Sequence, residues 1–175
     1  MTVARPHGLV IVNTGDGKGK TTAALGMALR ATGHGMRVAF VQFIKARNVG
    51  EHRAAERLAP EFEIFQMGCG LVVGEPKPDH IEAAQQALAF TRRCLVERRY
   101  GLVVADEILT AAGVKLLTRE EVTSLLDDRP AEVHLVLTGR GAWDGLIARA
   151  DHVTEMHPLK HAFDRGVEAQ EGVEF

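Results

Sequence analysis

The segment Ile11–Gly26, with the sequence IVNTGDGKGKTTAALG, decides the fold of this 175-residue chain. An apolar run over Gly8–Asn13 predicts a buried strand, and the pattern over Lys20–Thr32 predicts the helix that follows it. Glycines fill the turn between them, and a lysine and two threonines open the helix. A strand, a glycine-rich turn and a helix N-terminus in this order are typical of a phosphate-binding loop.

The spacing of this loop departs from the usual one. The common pattern is a glycine, four residues and then Gly-Lys-Ser/Thr. Counting back from Gly19-Lys20-Thr21, the first glycine position is held by Thr14, and counting from Gly15 the loop is one residue short. Two interpretations stay open: a degraded nucleotide site, or a site that holds ATP in another way.

The residue types of the loop suit a nucleoside triphosphate bound with Mg²⁺. Gly15, Gly17 and Gly19 allow a tight turn whose amides point inward. Lys20 can place an ammonium group against phosphate oxygens, and the hydroxyl of Thr21 can coordinate Mg²⁺. The helix dipole at the end of the loop favours a bound anion.

Apolar runs alternate with helical patterns along the rest of the chain, which predicts an α/β domain with a mainly parallel sheet covered on both faces. The further predicted strands are Arg37–Phe43, Phe62–Met67, Gly101–Glu107, Glu132–Gly139 and His152–Met156. The further predicted helices are Gly50–Ala59, a long one from its cap Asp79 to about Arg99, one from the Thr118/Glu121 capping box to about Asp128, and Ala142–Ala150. We expect a single domain over residues 1–175, with 157–175 as a C-terminal tail.

Two more motifs lie at predicted strand ends, where an open α/β sheet gathers its functional groups. The strand LVVADEI ends in Asp106-Glu107, whose carboxylates can hold Mg²⁺ directly or through water. Which of the two touches the metal is not fixed by the sequence. In LTGRG, Thr138 can sense a phosphate and Arg140 can pair with a phosphate or with an acidic neighbour.

Composition and charge exclude several classes of protein. The net charge of −2 gives no basic field for general nucleic-acid binding. The two cysteines, Cys69 and Cys94, form no CxxC pair, which favours a reducing cytoplasm. No run of about 18 apolar residues spans a membrane, and the first residues do not read as a secretion signal. The residues alone therefore indicate a Mg²⁺–nucleoside triphosphate protein whose reaction is open.

The ordered motifs resemble one family, the ATP:corrinoid adenosyltransferases of cobalamin biosynthesis and salvage. The matching blocks run along nearly the whole chain: TGDGKGKTTAALG, VQFIK, Gly50-Glu51, VVADE, LTGRG, ADHVTEM and the tail KHAFDRGVEAQEGVEF. The resemblance implies a P-loop NTPase-like, RecA-like fold and a homodimer. It also implies that ATP lies reversed in the loop, so that the ribose C5′ faces the corrinoid and the whole triphosphate leaves.

The resemblance implies a role for particular residues of this sequence. The ATP-binding set is Thr14, Gly15, Asp16, Gly17, Lys18, Gly19, Lys20, Thr21, Thr22, Arg30, Lys45, Arg140, Lys160 and His161. Lys20, Thr21 and Glu107 would be the catalytic residues. Thr21 and Glu107 would hold Mg²⁺, with Asp106 as the second choice.

The loop that the family sets against the corrin ring differs here. The family pattern is G-x-G-F-T-W, whereas this chain reads Gly68-Cys69-Gly70-Leu71-Val72-Val73. Leu71 and Val73 would contact the corrinoid in place of two aromatic rings, and they cannot stack broadly on it. A reductase that supplies Co(I) is the implied partner. The alternatives are an ordinary P-loop ATPase or phosphotransferase, and a non-catalytic ATP- or corrinoid-binding carrier or regulatory module.

Overall fold

The computed structural model describes residues 7–174, and its centre is a six-stranded sheet in the order β3-β2-β4-β5-β1-β6. All of its strand pairings are parallel, which confirms the expected α/β architecture. The strands are β1 Val10–Thr14, β2 Val38–Gln42, β3 Phe62–Gln66, β4 Leu102–Asp106, β5 His134–Thr138 and β6 His152–Glu155. The helices are α1 Lys20–Thr32, α2 Gly50–Glu56, α3 Pro78–Val96, α4 Ile108–Gly113, α5 Arg119–Asp128 and α6 Asp144–Ile147, followed by a 3₁₀ turn at Ala162–Arg165.

The central strands are apolar on both sides because helices cover both faces of the sheet. In β2, Val38 and Phe40 pack towards α1 and α2, while Ala39 and Val41 pack into the larger core on the other face. That larger core contains buried residues of α3, α4 and α5. Each central strand therefore contributes alternate side chains to two hydrophobic layers, as expected for a parallel sheet.

Several predicted boundaries shift for local reasons. The long helix begins at Pro78 with Lys77 as its N-cap, so Asp79 lies in the first turn and the expectation that it caps the helix is wrong. The predicted Thr118/Glu121 capping box is confirmed, with both reciprocal bonds formed. The apolar segment Ile108–Gly113 forms α4, a short helix that the sequence did not predict.

The strand order brings the functional ends together. The strands β4, β5 and β1 are neighbours, so Asp106, Thr138 and Thr14 end at the same edge of the sheet. Parallel strands all present their carboxyl ends on one side, where the loops between strands and helices form a crevice. The site lies in that crevice.

Candidate active site

The phosphate loop is shaped by its packing against the segment after β6. Gly15 has a φ of 94°, and a Cβ there would collide with the backbone of Met156. The amide of Gly17 donates to the Met156 carbonyl at 2.7 Å. Gly19, with a φ of 115°, is the N-cap of α1. These close approaches and left-handed conformations explain why the loop needs glycine at these positions.

The unusual threonine of the motif is the last residue of a strand. Thr14 pairs with Glu155 in the parallel register of β1 and β6 and is only 6% exposed. Its carbonyl accepts a hydrogen bond from the Met156 amide at 2.9 Å, and its hydroxyl accepts one from the Ala142 amide at 3.3 Å. Thr14 therefore ends β1, and the turn begins at Gly15.

Lys20 points into the loop that precedes it. Its ammonium group donates to the carbonyls of Gly15 at 2.6 Å and Gly17 at 2.7 Å. Burial and the positive charge of Arg140 hold the pKa of Lys20 below its ordinary value. A cation held by two loop carbonyls at the helix N-terminus, and lining the cavity, can bind phosphate oxygens.

Asp106 is a fully buried carboxylate that the phosphate loop contacts directly. Its Oδ1 accepts hydrogen bonds from the hydroxyls of Thr21 at 2.8 Å and Thr138 at 2.7 Å. Burial raises the pKa of Asp106, and Lys45 together with the two hydroxyls acts against that rise. Thr138 is itself fully buried behind the acid, so it supports the carboxylate and does not reach the cavity as a phosphate sensor would.

Glu107 follows Asp106 in a left-handed backbone conformation, with a φ of 63°. Its amide donates to the Thr138 hydroxyl at 2.8 Å, and its side chain lines the cavity beside the loop. Burial and the negative charge of Asp106 raise the pKa of Glu107. A non-glycine residue held in this conformation is strained, and here the strain turns two adjacent carboxylates towards different surroundings.

Lys45 lies between two acidic side chains. Its ammonium group is 3.0 Å from Glu51 Oε1 and 3.8 Å from Asp106 Oδ2. Burial acts to lower the pKa of Lys45, but the charges of Asp106 and Glu51 and the hydrogen bond to Glu51 outweigh it, and the pKa is raised. Glu51 was not singled out as a site residue from the sequence.

One cavity of about 680 Å³ opens over the loop and the acidic pair. Most of the predicted site residues line it: Asp16, Gly17, Lys18, Gly19, Lys20, Thr21, Thr22, Lys45, Leu71, Glu107, Arg140 and His161. Thr14, Gly15 and Asp106 lie behind this lining. The remaining residues that line the cavity are not predicted as site residues by the sequence: Leu25, Gly50, Glu51, Thr110, Gly172, Val173 and Glu174.

Three predicted residues lie away from the cavity in the part of the chain that the structure describes. Arg30 is exposed near the far end of α1, ten residues after Lys20, which corresponds to about 15 Å along a helix. Val73 is 90% exposed, and Lys160 is also exposed. The geometry brings none of them to the triphosphate region within one chain.

The tail lines one side of the cavity and contacts Lys18, the first lysine of the loop. Lys18 donates to the Val173 carbonyl at 3.0 Å and lies 3.6 Å from the Glu174 carboxylate. Glu174 in turn accepts a hydrogen bond from the Gln170 amide at 2.7 Å. The two lysines of the loop thus face different partners, Lys20 inwards and Lys18 towards the tail.

The donors present in the site fit a bound Mg²⁺. Thr21 and Glu107 both line the cavity, and their hydroxyl and carboxylate oxygens are hard ligands of the kind that Mg²⁺ prefers. Asp106 Oδ2 is buried and without a hydrogen-bond partner among the described residues, and the charge that faces it is that of Lys45. Residues 7–174 contain no group of three or more His, Cys, Asp or Glu side chains able to form a metal cage by themselves.

Comparison with known proteins identifies the family of this site. Residues 6–175 match the family model described as ATP:corrinoid adenosyltransferase BtuR/CobO/CobP. The chain belongs to this family. The resemblance drawn from the sequence motifs is thereby confirmed, and the shortened phosphate loop belongs to a corrinoid adenosyltransferase.

Named relatives within the adenosyltransferase family cover nearly the whole chain. It is 42% identical over 171 residues to the corrinoid adenosyltransferase of Pseudomonas aeruginosa. The aligned region covers 97% of this chain and 84% of that protein. It is 40% identical over 170 residues to the corrinoid adenosyltransferase CobA of Salmonella typhimurium, covering 97% and 86%.

Solved structures outside the adenosyltransferase family share the fold. A KaiC-like protein from Pyrococcus horikoshii superposes with a TM-score of 0.57 at 22% identity, covering 86% of this chain and 74% of that one. This likeness shows that the two proteins share the arrangement of sheet and helices. Within residues 7–174, none of the helices is long and apolar enough to cross a membrane.

Proposed function

We propose that this chain transfers the 5′-deoxyadenosyl group of ATP to the Co(I) centre of a reduced corrinoid and releases triphosphate. The observation that carries the proposal is an open cavity that two unlike segments line together. They are the phosphate loop with Lys20, and Leu71 from the loop that the family sets against the corrin ring.

The transfer requires no covalent bond between the substrates and the protein. The electron pair of Co(I) forms the bond to C5′, the bond from C5′ to the bridging oxygen breaks, and its electrons leave with the triphosphate. Since cobalt is the nucleophile, no side-chain nucleophile or general base is needed. The protein has to hold C5′ close to cobalt and to stabilise the charge that develops on the leaving group.

The residues of the loop suit the second of these tasks. Lys20 lies at the N-terminus of α1, and both Lys20 and Arg140 line the cavity. Each charge-assisted hydrogen bond to a phosphate contributes about 1.5–3 kcal/mol, so a few of them account for a large rate effect. Bound at Thr21 and Glu107, Mg²⁺ would supply further neutralisation of the triphosphate.

Several finer assignments belong to this proposal and remain predictions. They include the individual roles of the ATP-binding residues, a homodimer, a reductase partner and a cytoplasmic location. The assignment of residues 1–175 to one domain, with 157–175 as its tail, is also part of it.

A second candidate function is a binding protein without turnover. It is favoured by one observation: Leu71 and Val73 are 80% and 90% exposed where the family pattern has aromatic residues. An aromatic side chain can stack its flat ring on a planar ligand, which leucine and valine cannot do.

The experiment is to incubate the protein with MgATP and a chemically reduced corrinoid, and to record the visible spectrum of the product. Formation of a light-sensitive alkyl-cobalt species supports adenosyl transfer. Tight ATP binding with no such species over a panel of corrinoids would favour the binding protein instead.

A further inference from the structure

A chain of polar contacts links α2 to the phosphate loop through the buried carboxylate of Asp106. It runs from Glu51 to Lys45 at 3.0 Å, from Lys45 to Asp106 Oδ2 at 3.8 Å, and from Asp106 Oδ1 to the Thr21 hydroxyl at 2.8 Å. Thr21, the last residue in this series of contacts, also lines the cavity over the phosphate loop.

The two oxygens of Asp106 have unequal surroundings. Oδ1 accepts hydrogen bonds from Thr21 and Thr138. Oδ2 is buried without a hydrogen-bond partner among the described residues, and the ammonium group of Lys45 is the charge that faces it. A buried carboxylate without compensation is costly, so the position of the Lys45 charge matters to the whole carboxylate.

Lys45 is itself held from the other side. The Glu51 side chain is only 14% exposed and lies in the first turn of α2. The neighbouring His52 fixes that turn, because its Nδ1 accepts from the Val49 amide at 3.1 Å and its Nε2 lies 2.9 Å from Gln42 Oε1. Gln42 is the register partner of Asp106 in the sheet, so both ends of the Lys45 contact are anchored to the same edge.

We propose that Lys45 is a positioning residue for Asp106 and not a ligand of ATP. Held by Glu51, its charge compensates Asp106 Oδ2 and keeps the carboxylate oriented so that Oδ1 accepts the hydroxyl of Thr21. Lys45 therefore acts on nucleotide binding at a distance, through the orientation of Thr21. The nucleotide readout below rests on the proposed function, whereas the stability readout does not.

The first test is a double-mutant cycle in thermal unfolding without nucleotide or divalent cations. Lys45→Met leaves the buried charge of Asp106 uncompensated, and we expect the Tm to fall by about 5 °C or more. In an Asp106→Asn background the charge is gone, and the same substitution should lower the Tm far less. Failure of Lys45→Met alone to fold, with a folded double variant, supports the same coupling. An equal effect of Lys45→Met in both backgrounds, or no effect in either, would overturn the proposal.

The second test separates positioning from direct contact by calorimetric titration with ATP. We expect Lys45→Met to weaken MgATP binding about tenfold, while binding of ATP in excess EDTA changes less than about twofold. Glu51→Gln should shift MgATP binding in the same direction by a smaller factor. Lys77→Met, at an exposed lysine outside the cavity, is the matched control and should bind as the parent does.

If Lys45→Met weakens ATP binding equally with and without Mg²⁺, Lys45 is a direct ligand of ATP and the proposal is overturned. Unchanged MgATP binding by Lys45→Met would overturn it as well. If the parent protein binds no ATP at all, the proposed function fails, and the stability cycle still decides the role of Lys45.

Discussion

Thr138 offers the sharpest test of how the acidic pair is built. Its buried hydroxyl donates to Asp106 Oδ1 at 2.7 Å and accepts from the Glu107 amide at 2.8 Å. Thr138→Val keeps the shape of the side chain and removes both bonds. One hydrogen bond to a charged group contributes about 1.5–3 kcal/mol, and an unpaired buried amide costs about 1–3 kcal/mol.

The expected loss in the free energy of unfolding is about 3 kcal/mol, at the lower end of the sum because Glu107 lines an open cavity. For a chain of this size, that loss corresponds to a fall in Tm of about 6–12 °C. Urea denaturation followed by circular dichroism measures it directly. Thr138→Ser retains the hydroxyl and is the matched control, with a smaller expected loss.

The same substitution should also weaken MgATP binding, since Glu107 and Thr21 both depend on contacts with this cluster. A free energy of unfolding of Thr138→Val within about 0.5 kcal/mol of that of the parent would refute the reasoning. It would mean that Asp106 and the Glu107 amide find other partners at no cost.

Three further predictions concern the loop, the acidic pair and the corrinoid wall. Lys20→Met should lower kcat for alkyl-cobalt formation by about 10²–10³ with an unchanged circular dichroism spectrum, and a loss below tenfold would count against charge stabilisation by this lysine. Burial raises the pKa of Asp106 above its ordinary value of 3.8, so the stability it contributes is complete below that value and is lost as the pH rises through the folded pKa. Urea denaturation over a pH series in EDTA should show this slope in the parent and a reduced slope in Asp106→Asn, and identical slopes would contradict the assignment. Leu71→Phe should lower KM for the corrinoid and leave KM for ATP unchanged. A changed KM for ATP with an unchanged KM for the corrinoid would indicate that Leu71 contacts the nucleotide instead.

The fold was largely predictable because strands buried on two faces leave a strong trace in the sequence. Runs such as RVAFVQF and GLVVADE are apolar without alternation, and both became central strands. Helix ends were less predictable, since Lys77 and not Asp79 is the N-cap of α3. The helix α4 was missed because ILTAAG directly follows a strand and reads as a continued apolar run.

The candidate site was predictable where a local motif defines it. Lys20, Thr21 and Glu107 line one cavity, as expected for residues at neighbouring strand ends. Contacts between distant segments left no local signal: the tail residues Val173 and Glu174 meet Lys18 across more than 150 positions. The family resemblance assigns Arg30 to the ATP-binding residues, whereas helix geometry places it far from the loop.

The identity of the phosphorus product tests the central claim most directly. A reaction of the protein with MgATP and a reduced corrinoid can be followed by ³¹P NMR while alkyl-cobalt formation is recorded in parallel. Adenosyl transfer predicts free triphosphate in a one-to-one ratio with the alkyl-cobalt product. ADP and inorganic phosphate as the products would contradict the account and would indicate an ordinary phosphate-transferring loop.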